Sequence, residues 1–254
     1  MEKEIERARV VEQAMDVLFA IAGGNQARGI RAFGAQLNIS KTTIQKILVS
    51  LERSGLIARD SHSELHVLTS KTLVLSASYQ RNRDIVSILR PHMEALRSNS
   101  GETVTLSLTV DNHRVTIFQV ESLNDLRYTT QLGRHYPIVI GATGIMLLGS
   151  MDEPNRKKAI ESYVKSGVRV SSGEVQEIDP KKIDKAACEA RDNGFAISLS
   201  QWSLGGVGIA VPILTPEGDT AVLSVYGVEN RLSEQRIQEI AREMKKISHS
   251  LSGL

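Results

Sequence analysis

The sequence predicts an α+β protein in which a small, mostly helical domain precedes a larger mixed domain. Apolar residues recur at helical spacing through much of residues 4–99. Residues 103–110 instead alternate polar and apolar side chains, as a half-buried strand does. The rest of the chain mixes amphipathic helices with short apolar runs, which favours a largely antiparallel sheet with helices on it. A chain of 254 residues is long enough for two such domains.

The first part of the chain has the element order of a winged helix-turn-helix domain. Gly23-Gly24 ends the first helical pattern, and Gly55 ends the third. A polar turn at residues 60–63 separates two short apolar runs, which predicts a hairpin. The pattern predicts helices near residues 4–22, 31–37 and 41–54, then strands at 56–59 and 64–67.

The helix that begins after Ser40 has two different faces. Ser40 is a suitable N-cap, because its hydroxyl can accept from the free N–H groups of the first turn. One face is apolar and consists of Ile44, Ile47, Leu48 and Leu51. The other face begins with Lys41, Thr42, Thr43, Gln45 and Lys46. Ammonium groups neutralise phosphate and amide or hydroxyl groups read base edges, so this face suits a DNA major groove. An ordinary amphipathic surface helix is the alternative.

Charge is distributed unevenly, although the net charge is only +2. Between Arg28 and Arg59 there are six basic residues and one acidic residue, Glu52, which predicts a local positive surface. His62 lies in the predicted hairpin turn, beside the phosphate backbone or simply in solvent. The candidate DNA-contacting residues are Arg28, Arg31, Ser40, Lys41, Thr42, Thr43, Gln45, Lys46, Arg59 and His62.

A second helical segment, residues 72–99, follows the hairpin and suits a connector between two domains. Arg90-Pro91 predicts a break or a kink within it, because proline cannot donate a helix hydrogen bond. The predicted division is therefore a DNA-binding domain at residues 1–75, a linker helix at 76–99 and a mixed domain at 100–254.

The mixed domain begins with two strands joined by a hairpin turn at Asp111-Asn112-His113. Residues 133–137 are predicted to form a loop, and Asp179 is a suitable cap for a later helix. Strands are predicted at 103–110, 115–120, 126–132, 195–199, 206–214 and 221–226, and helices at 139–148, 153–164, 180–193 and 233–250.

Several classes of protein are disfavoured. The single cysteine, Cys188, excludes an internal disulfide and a cysteine-rich metal site, and no cofactor is predicted. No HExxH, GxSxG, Walker or CxxC motif is present, which argues against an enzyme. The charged N-terminus is unlike a secretory signal, and the longest apolar run is too short to cross a bilayer. We therefore expect a cytoplasmic protein without a membrane partner.

The order of these elements, together with six local strings, resembles the IclR family of bacterial transcription regulators. The resemblance covers the chain from about Arg9 to the C-terminal helix. The strings are Leu37–Leu48 continuing to Leu56, Arg90–Leu96 with Gly101–Val104, Gly133–Pro137 with Gly144, Gly194–Ile197, Ala210–Ile213 and Leu223–Gly227.

The resemblance implies a homodimer, often a dimer of dimers (a homotetramer), with a GAF/profilin-like sensor domain. A small organic effector in that domain would alter binding to a near-palindromic double-stranded DNA operator, as a repressor or an activator does. By position, the family's pocket would involve Asp125, Tyr128, Tyr136, Ala142, Thr143, Ser198, Gly208, Ser224 and Tyr226.

The chain departs from the family pattern within this set. Ser198 stands where an acidic residue is usual, Gly208 where a cysteine is usual, and Tyr226 where a small hydroxyl residue is usual. We therefore expect a larger or flatter effector than a small keto acid, such as an aromatic or carboxylic acid, with Gly206 and Gly208 opening space beside aromatic rings. The tyrosines could instead be core residues. A constitutive architectural DNA-binding protein and an enzyme with a DNA-binding appendage are the alternative functions.

Overall fold

A computed structural model describes residues 2–23, 34, 37–82, 85–215 and 218–251. The chain divides into two compact units, residues 1–82 and 83–254. Arg28, Arg31 and most of the predicted helix at 31–37 lie outside the described residues.

The first unit packs helices against a short hairpin. Its described elements are α1 (Glu2–Ala22), α2 (Lys41–Arg53), β1 (Ile57–Arg59), β2 (His66–Leu68) and α3 (Lys71–Asn82). Strands β1 and β2 pair antiparallel, as predicted. The apolar face of α2 is buried, which confirms the predicted two-faced helix. The core of the unit contains Val17, Ile21, Ile39, Ile44, Ile47, Leu48, Leu51 and Ile57.

Ser40 caps helix α2 as predicted. Its backbone is extended, with φ −61° and ψ 145°, and the Thr43 backbone N–H donates to Ser40 Oγ at 3.2 Å. The Ser40 and Thr43 hydroxyl groups also lie 2.8 Å apart. The cap satisfies one of the N–H groups that the first helical turn leaves without an intrahelical acceptor.

The second unit is built on a six-stranded sheet of order β5-β4-β3-β10-β9-β8 in which all neighbours are antiparallel. Its strands are β3 (Thr103–Val110), β4 (His113–Val120), β5 (His135–Pro137), β8 (Ala196–Leu199), β9 (Gly206–Leu214) and β10 (Thr220–Val228), and a separate hairpin pairs β6 (Val168–Arg169) with β7 (Val175–Gln176). Its helices are α4 (Ile85–Ser100), α5 (Gly141–Gly149), α6 (Glu153–Val164), α7 (Pro180–Asn193) and α8 (Glu234–Leu251).

The two faces of this sheet carry different side chains. Helices α4 and α8 cover one face, where apolar residues such as Leu106, Ile209 and Leu223 are completely buried. Helices α5, α6 and α7 pack in a second cluster that includes Ala210 and Val222. Because successive side chains of a strand point to opposite faces, odd and even residues of β10 belong to different clusters.

The predicted strand at residues 126–132 was wrong, and the predicted loop at 133–137 was partly wrong. Residues 126–132 form no strand, and His135–Pro137 is the edge strand β5, with Tyr136 opposite Arg114. The Tyr128 carbonyl accepts a hydrogen bond from the Thr103 hydroxyl at 2.8 Å. A side chain, and not the backbone of a neighbouring strand, is therefore its partner. Pro137 is tolerated because an edge strand has one side without ladder partners.

The predicted break at Pro91 was also wrong, because α4 runs through it. Proline at this position leaves the Ser87 carbonyl without its helical donor. Pro91 is exposed, and residues four apart share a helix face, so water can bind that carbonyl. The β6–β7 hairpin was not predicted, because each strand has only two residues.

Replacing Ser40 with Ala should destabilise the start of α2 by about 1 kcal/mol, because the cap is lost. Hydrogen exchange of peptides from residues 41–53 measures this directly. Thr42→Ala is the matched control, since Thr42 is exposed and lies in the same turn. Equal exchange in the two variants would contradict the role of the cap.

Candidate functional site

The larger candidate site lies on one face of the six-stranded sheet. Ser224 lies opposite Thr105 on one side and Ala210 on the other. Tyr226 lies opposite Gly208, which in turn lies opposite Ser198. Directly opposed residues share a face, so the register brings the serine and tyrosine side chains together on the face that α5 covers.

Two glycines permit close packing at this site. A Cβ atom on Gly144 would lie 2.2 Å from the Ile138 carbonyl oxygen, so only glycine allows this approach of α5 to the preceding chain. A Cβ atom on Gly208 would lie 2.8 Å from Ser198 Oγ and 3.1 Å from the Tyr226 ring. The expectation that Gly208 opens space for a ligand was wrong, because the Tyr226 ring occupies that space.

Thr143 connects α5 to strand β10. Its side chain is completely buried, and its hydroxyl lies 2.7 Å from Ser224 Oγ. The Tyr226 hydroxyl is a second hydrogen-bond partner of Thr143. A hydroxyl is both donor and acceptor, so the three side chains can form a continuous chain of hydrogen bonds inside the protein.

Arg114 on β4 continues this chain of hydrogen bonds. It is only 3% exposed, and its Nη1 donates to the Tyr226 hydroxyl at 2.8 Å. Its guanidinium lies 4.7 Å from the centre of the Tyr136 ring and 6.0 Å from that of Trp202. These distances allow cation–π attraction. Arg114, Thr143, Ser224 and Tyr226 are called the buried polar cluster below.

Aromatic rings surround the buried polar cluster. Tyr128 stacks on Tyr226 with ring centres 4.6 Å apart and planes 15° apart. Tyr136 meets Trp202 edge to face at 5.3 Å. Burial is the main cause that raises the pKa of Tyr128 above its ordinary value, while the positive charge of Arg114 opposes the shift. Tyr128 therefore stays neutral at physiological pH.

Little free space remains between these side chains. A cavity of about 10 Å³ lies among them, enough for roughly one water molecule. The site is therefore closed in this structure. Its lining consists of Arg114, Tyr128, Gly141, Ser198, Gln201, Trp202, Ser203, Gly206, Val207, Gly208 and Tyr226.

Most of the pocket residues predicted from the sequence lie together. Tyr128, Ser198, Gly208 and Tyr226 line the cavity, and Thr143, Ser224 and Tyr136 bond to or pack on the residues that line it. Ala142 is buried in the first turn of α5, whereas Asp125 is exposed in the loop before Tyr128.

Sequence reasoning missed Arg114 and Gln201. The predicted strand began at residue 115, so Arg114 was left in a turn. The missed signal is the alternation of Arg114 with Thr116, which pairs with Ser107 on the polar face of the sheet. Gln201 accepts from the Gly141 backbone N–H at 2.9 Å, a contact that only the folded chain brings about.

The second candidate site is the polar face of α2 in the first unit. Lys41, Thr42, Gln45 and Lys46 are exposed, as a DNA-reading face requires. Thr43 is half-buried, and its hydroxyl contacts the capping Ser40, so these two residues organise the helix start. The polar face therefore offers two ammonium groups, one amide group and one hydroxyl group to a partner.

The hairpin beside α2 contains acidic groups as well as Arg59 and His62. Arg59 pairs with the Glu64 carboxylate at 2.6 Å, and both side chains are largely exposed. Asp60 accepts from the backbone N–H and the hydroxyl of Ser63 and from the backbone N–H of His62, and these hydrogen bonds hold the pKa of its carboxyl below its ordinary value. A phosphate contact by Arg59 would therefore have to compete with Glu64.

The described residues contain neither a membrane-spanning helix nor a metal-binding cluster. No helix there is long and apolar enough to cross a membrane. The same residues contain no group of three or more His, Cys, Asp or Glu side chains arranged to hold a metal ion.

Comparison with protein families decides the identity of the second unit. The family model described as the bacterial transcriptional regulator IclR C-terminal domain matches residues 77–253. The chain belongs to the IclR family. It is therefore a transcriptional regulator, and the fold and family expected from the sequence are confirmed.

Characterised relatives agree with this assignment and are regulators rather than enzymes. The HTH-type transcriptional regulator KipR of Bacillus subtilis is 27% identical over 213 residues, which cover 84% of this chain and 83% of KipR. The HTH-type transcriptional regulator KdgR of Escherichia coli is 25% identical over 256 residues, which cover 100% of this chain and 95% of KdgR.

Solved structures share the fold. An IclR transcriptional regulator from Silicibacter sp. TM1040 has a TM-score of 0.83 at 19% identity and covers 96% of this chain and 95% of its own. An IclR homologue from Microbacterium hydrocarbonoxydans, solved in complex with 4-hydroxybenzoate, has a TM-score of 0.72 at 18% identity, covering 96% of this chain and 100% of its own.

Replacing Tyr226 with Phe should lower the free energy of unfolding by about 1–3 kcal/mol, because a buried guanidinium loses a hydrogen-bond acceptor. Urea unfolding followed by the fluorescence of Trp202, the single tryptophan, measures the change. Tyr163→Phe is the control, because its hydroxyl donates to the Asn112 carbonyl without involving a charged group. An equal or larger loss in the control would show that Arg114 does not depend on this hydroxyl.

Proposed function

We propose that this IclR-family regulator is a ligand-responsive DNA-binding protein, which represses or activates transcription from its operator. The winged helix-turn-helix domain of residues 1–75 binds DNA, and the linker helix of residues 76–99 connects it to the next domain. Residues 100–254 bind the effector and assemble the oligomer. It acts in the cytoplasm as a homodimer or a dimer of dimers.

The DNA-binding part of the proposal is supported by the exposed polar face of α2. Lys41 and Lys46 are free of described side-chain partners and can neutralise phosphate, while Thr42 and Gln45 can reach base edges. In a two-fold dimer, two such helices enter successive major grooves. The operator is then a near-palindrome with half-sites about one helical turn apart.

The buried polar cluster is the observation that carries the effector part of the proposal. Binding to DNA alone does not require a second unit with a buried cation, three linked hydroxyl groups and four aromatic rings around a cavity. Small-molecule sites have this composition, with apolar walls and few polar groups at fixed positions. The 4-hydroxybenzoate bound to the Microbacterium homologue is a precedent for an aromatic effector in this fold.

The effector acts by shifting the population of dimer arrangements. A ligand can do so only through different affinities for the arrangements, because equal binding shifts nothing. Thr143 belongs to α5 and Ser224 to β10, so a ligand that changes their hydrogen bond changes the packing of helix on sheet. A thermal-shift screen of metabolites, followed by gel shifts with each compound that binds, tests the proposal. No change in DNA affinity with any such compound would reject it.

Lys41→Ala and Lys46→Ala should each weaken DNA binding and reduce the slope of log K against log salt concentration by about one. Fluorescence anisotropy of a labelled operator over a salt series measures both quantities. Lys181→Ala is the control, because Lys181 is an exposed lysine of α7 in the second unit. If both α2 variants keep the wild-type slope, the polar face of α2 is not the DNA-reading face.

Thr143→Leu and Ser224→Leu should abolish the effector response and leave DNA binding intact, because a larger side chain fills the site. Gel shifts with and without effector compare the two activities in one assay. Ser107→Leu controls for overpacking, since Ser107 is fully buried in the same sheet and bonds only to Thr116 among the described residues. A retained effector response in both variants would place the pocket elsewhere.

A further inference from the structure

Arg114 is a buried cation without an acidic partner. It is only 3% exposed, and no carboxylate bonds to it within residues 85–215 and 218–251. A guanidinium stays charged at any physiological pH, so burial cannot be relieved by losing the proton. A charge buried in this way is normally paired or bound to a ligand.

A second buried arginine in the same unit shows the ordinary arrangement. Arg156 is 4% exposed, and its Nε donates to the Asp184 carboxylate at 2.7 Å. In Arg114, by contrast, Nε has no hydrogen-bond partner among the described atoms. The hydrogen-bond partners of Arg114 are the hydroxyl groups of Tyr226 and Tyr128, and its other contacts are ring faces, so no carboxylate of the described residues compensates its charge. The difference indicates that Arg114 is available to bind an anionic ligand.

Other groups around the cavity also favour an anion. Helix α5 has no acidic residue in its first turn and no side-chain bond from its N-cap residue, Ile140. Its Gly141 N–H donates instead to the amide oxygen of Gln201. The positive end of the helix dipole and the guanidinium thus meet the same cavity. The buried hydroxyl of Thr105, which lies opposite Ser224, also lacks a hydrogen-bond partner among the residues that the structure describes.

The segment from Ser200 to Gly205 closes this cavity. It joins β8 to β9 and contributes Gln201, Trp202 and Ser203 to the lining. Several contacts hold it to the rest of the unit: the Gly141 contact of Gln201, two hydrogen bonds from Ser171 to the Trp202 carbonyl at 2.7 and 3.1 Å, one from the Glu229 N–H to the Gly205 carbonyl at 2.8 Å, and the edge-to-face contact of Trp202 with Tyr136. Only the first of these involves the side chain of Gln201. With about 10 Å³ of free space, an organic ligand can enter only if part of the lining moves, and this segment supplies three of the lining residues.

We propose that Arg114 is the anion receptor of the effector site and that residues 200–205 form the lid that an effector must displace. The effector is an aromatic monocarboxylate. Its planar carboxylate matches the two-donor edge of a guanidinium, and its ring packs on the neighbouring tyrosines. The Gln201 amide oxygen leaves when the lid opens. This inference rests on the proposed function, because it assigns chemistry to the same effector site.

Isothermal titration of the full-length protein tests the receptor. The probes are benzoate, phenylacetate and 3-phenylpropionate, which hold a carboxylate at increasing distance from a ring, with their neutral amides and acetate as comparisons. At least one aromatic acid should bind at least ten-fold more tightly than its amide and than acetate. Equal binding of acid and amide, or binding of none of the acids, overturns the inference.

Variants of Arg114 test whether this residue binds the aromatic acid. Arg114→Met should abolish binding of the acid, and Arg114→Lys should weaken it about ten-fold, because lysine keeps the charge but loses the two-donor geometry. Arg134→Met is the control, because the Arg134 guanidinium also lies over the Tyr136 ring, 5.1 Å from its centre, but is exposed on the surface. Unchanged affinity in Arg114→Met overturns the proposal.

Thermal unfolding separates a receptor from a structural arginine. Arg156→Met should lower Tm clearly, because Asp184 loses its partner. Arg114→Met should lower Tm less, because no carboxylate is left behind. A larger loss of Tm in Arg114→Met than in Arg156→Met would overturn the proposal by making Arg114 a structural residue.

The lid is tested with Gln201→Ala, which removes the contact with Gly141 and should tighten binding of the acid several-fold. Leu204→Ala is the matched control, because Leu204 lies in the same segment and is 97% exposed. Weaker or unchanged binding in Gln201→Ala overturns the lid.

Gel shifts distinguish this inference from the proposed function. If a neutral compound changes DNA affinity through Thr143 and Ser224 while every acid fails, the regulator stands and the anion receptor is rejected. If no compound changes DNA affinity, the proposed function itself fails.

Discussion

The pleat of one antiparallel sheet is the constraint on which the second unit depends. Alternation along β3 and β10 sends Leu106 and Leu223 to the face under α4 and α8, and Thr105 and Ser224 to the other face. A shift of one residue in register would exchange the two sets and bury polar groups in the apolar core. The apolar face thus fixes the register, and the register in turn assembles the polar site.

Most polar groups of this site are buried at a small cost in free energy. Thr143, Ser224 and Tyr226 satisfy one another's hydroxyl groups, which removes most of the penalty for burying them. Arg114 is different, because neutral hydroxyl and ring partners compensate a buried charge only in part. A strained or incompletely satisfied group inside an otherwise well-packed unit is typical of a functional site. In an IclR-family regulator, a ligand that bonds to these groups can change the packing of α5 on the sheet.

The first unit illustrates a different balance between structure and function. The same helix that supplies Ile44, Ile47 and Leu48 to the core presents Lys41, Gln45 and Lys46 to solvent. Burial of one face keeps the helix in place, so the other face is free to vary for recognition. At the hairpin, Asp60 accepts hydrogen bonds from the turn, and Glu64 pairs with Arg59. These contacts make the hairpin less positively charged than the number of basic residues between positions 28 and 59 indicates.

The sequence by itself determined the two-part α+β organisation, the family, the cap at Ser40 and most strands, because periodicity and capping are local properties. It also named Thr143, Ser224 and Tyr226. Only the tertiary structure decided that β5, and not residues 126–132, forms the edge of the sheet. It also decided that the Tyr226 ring fills the space beside Gly208, and that Arg114 and Gln201 line the same cavity. These facts depend on contacts between residues far apart in the chain, such as the 112-residue separation of Arg114 and Tyr226, which no local pattern encodes.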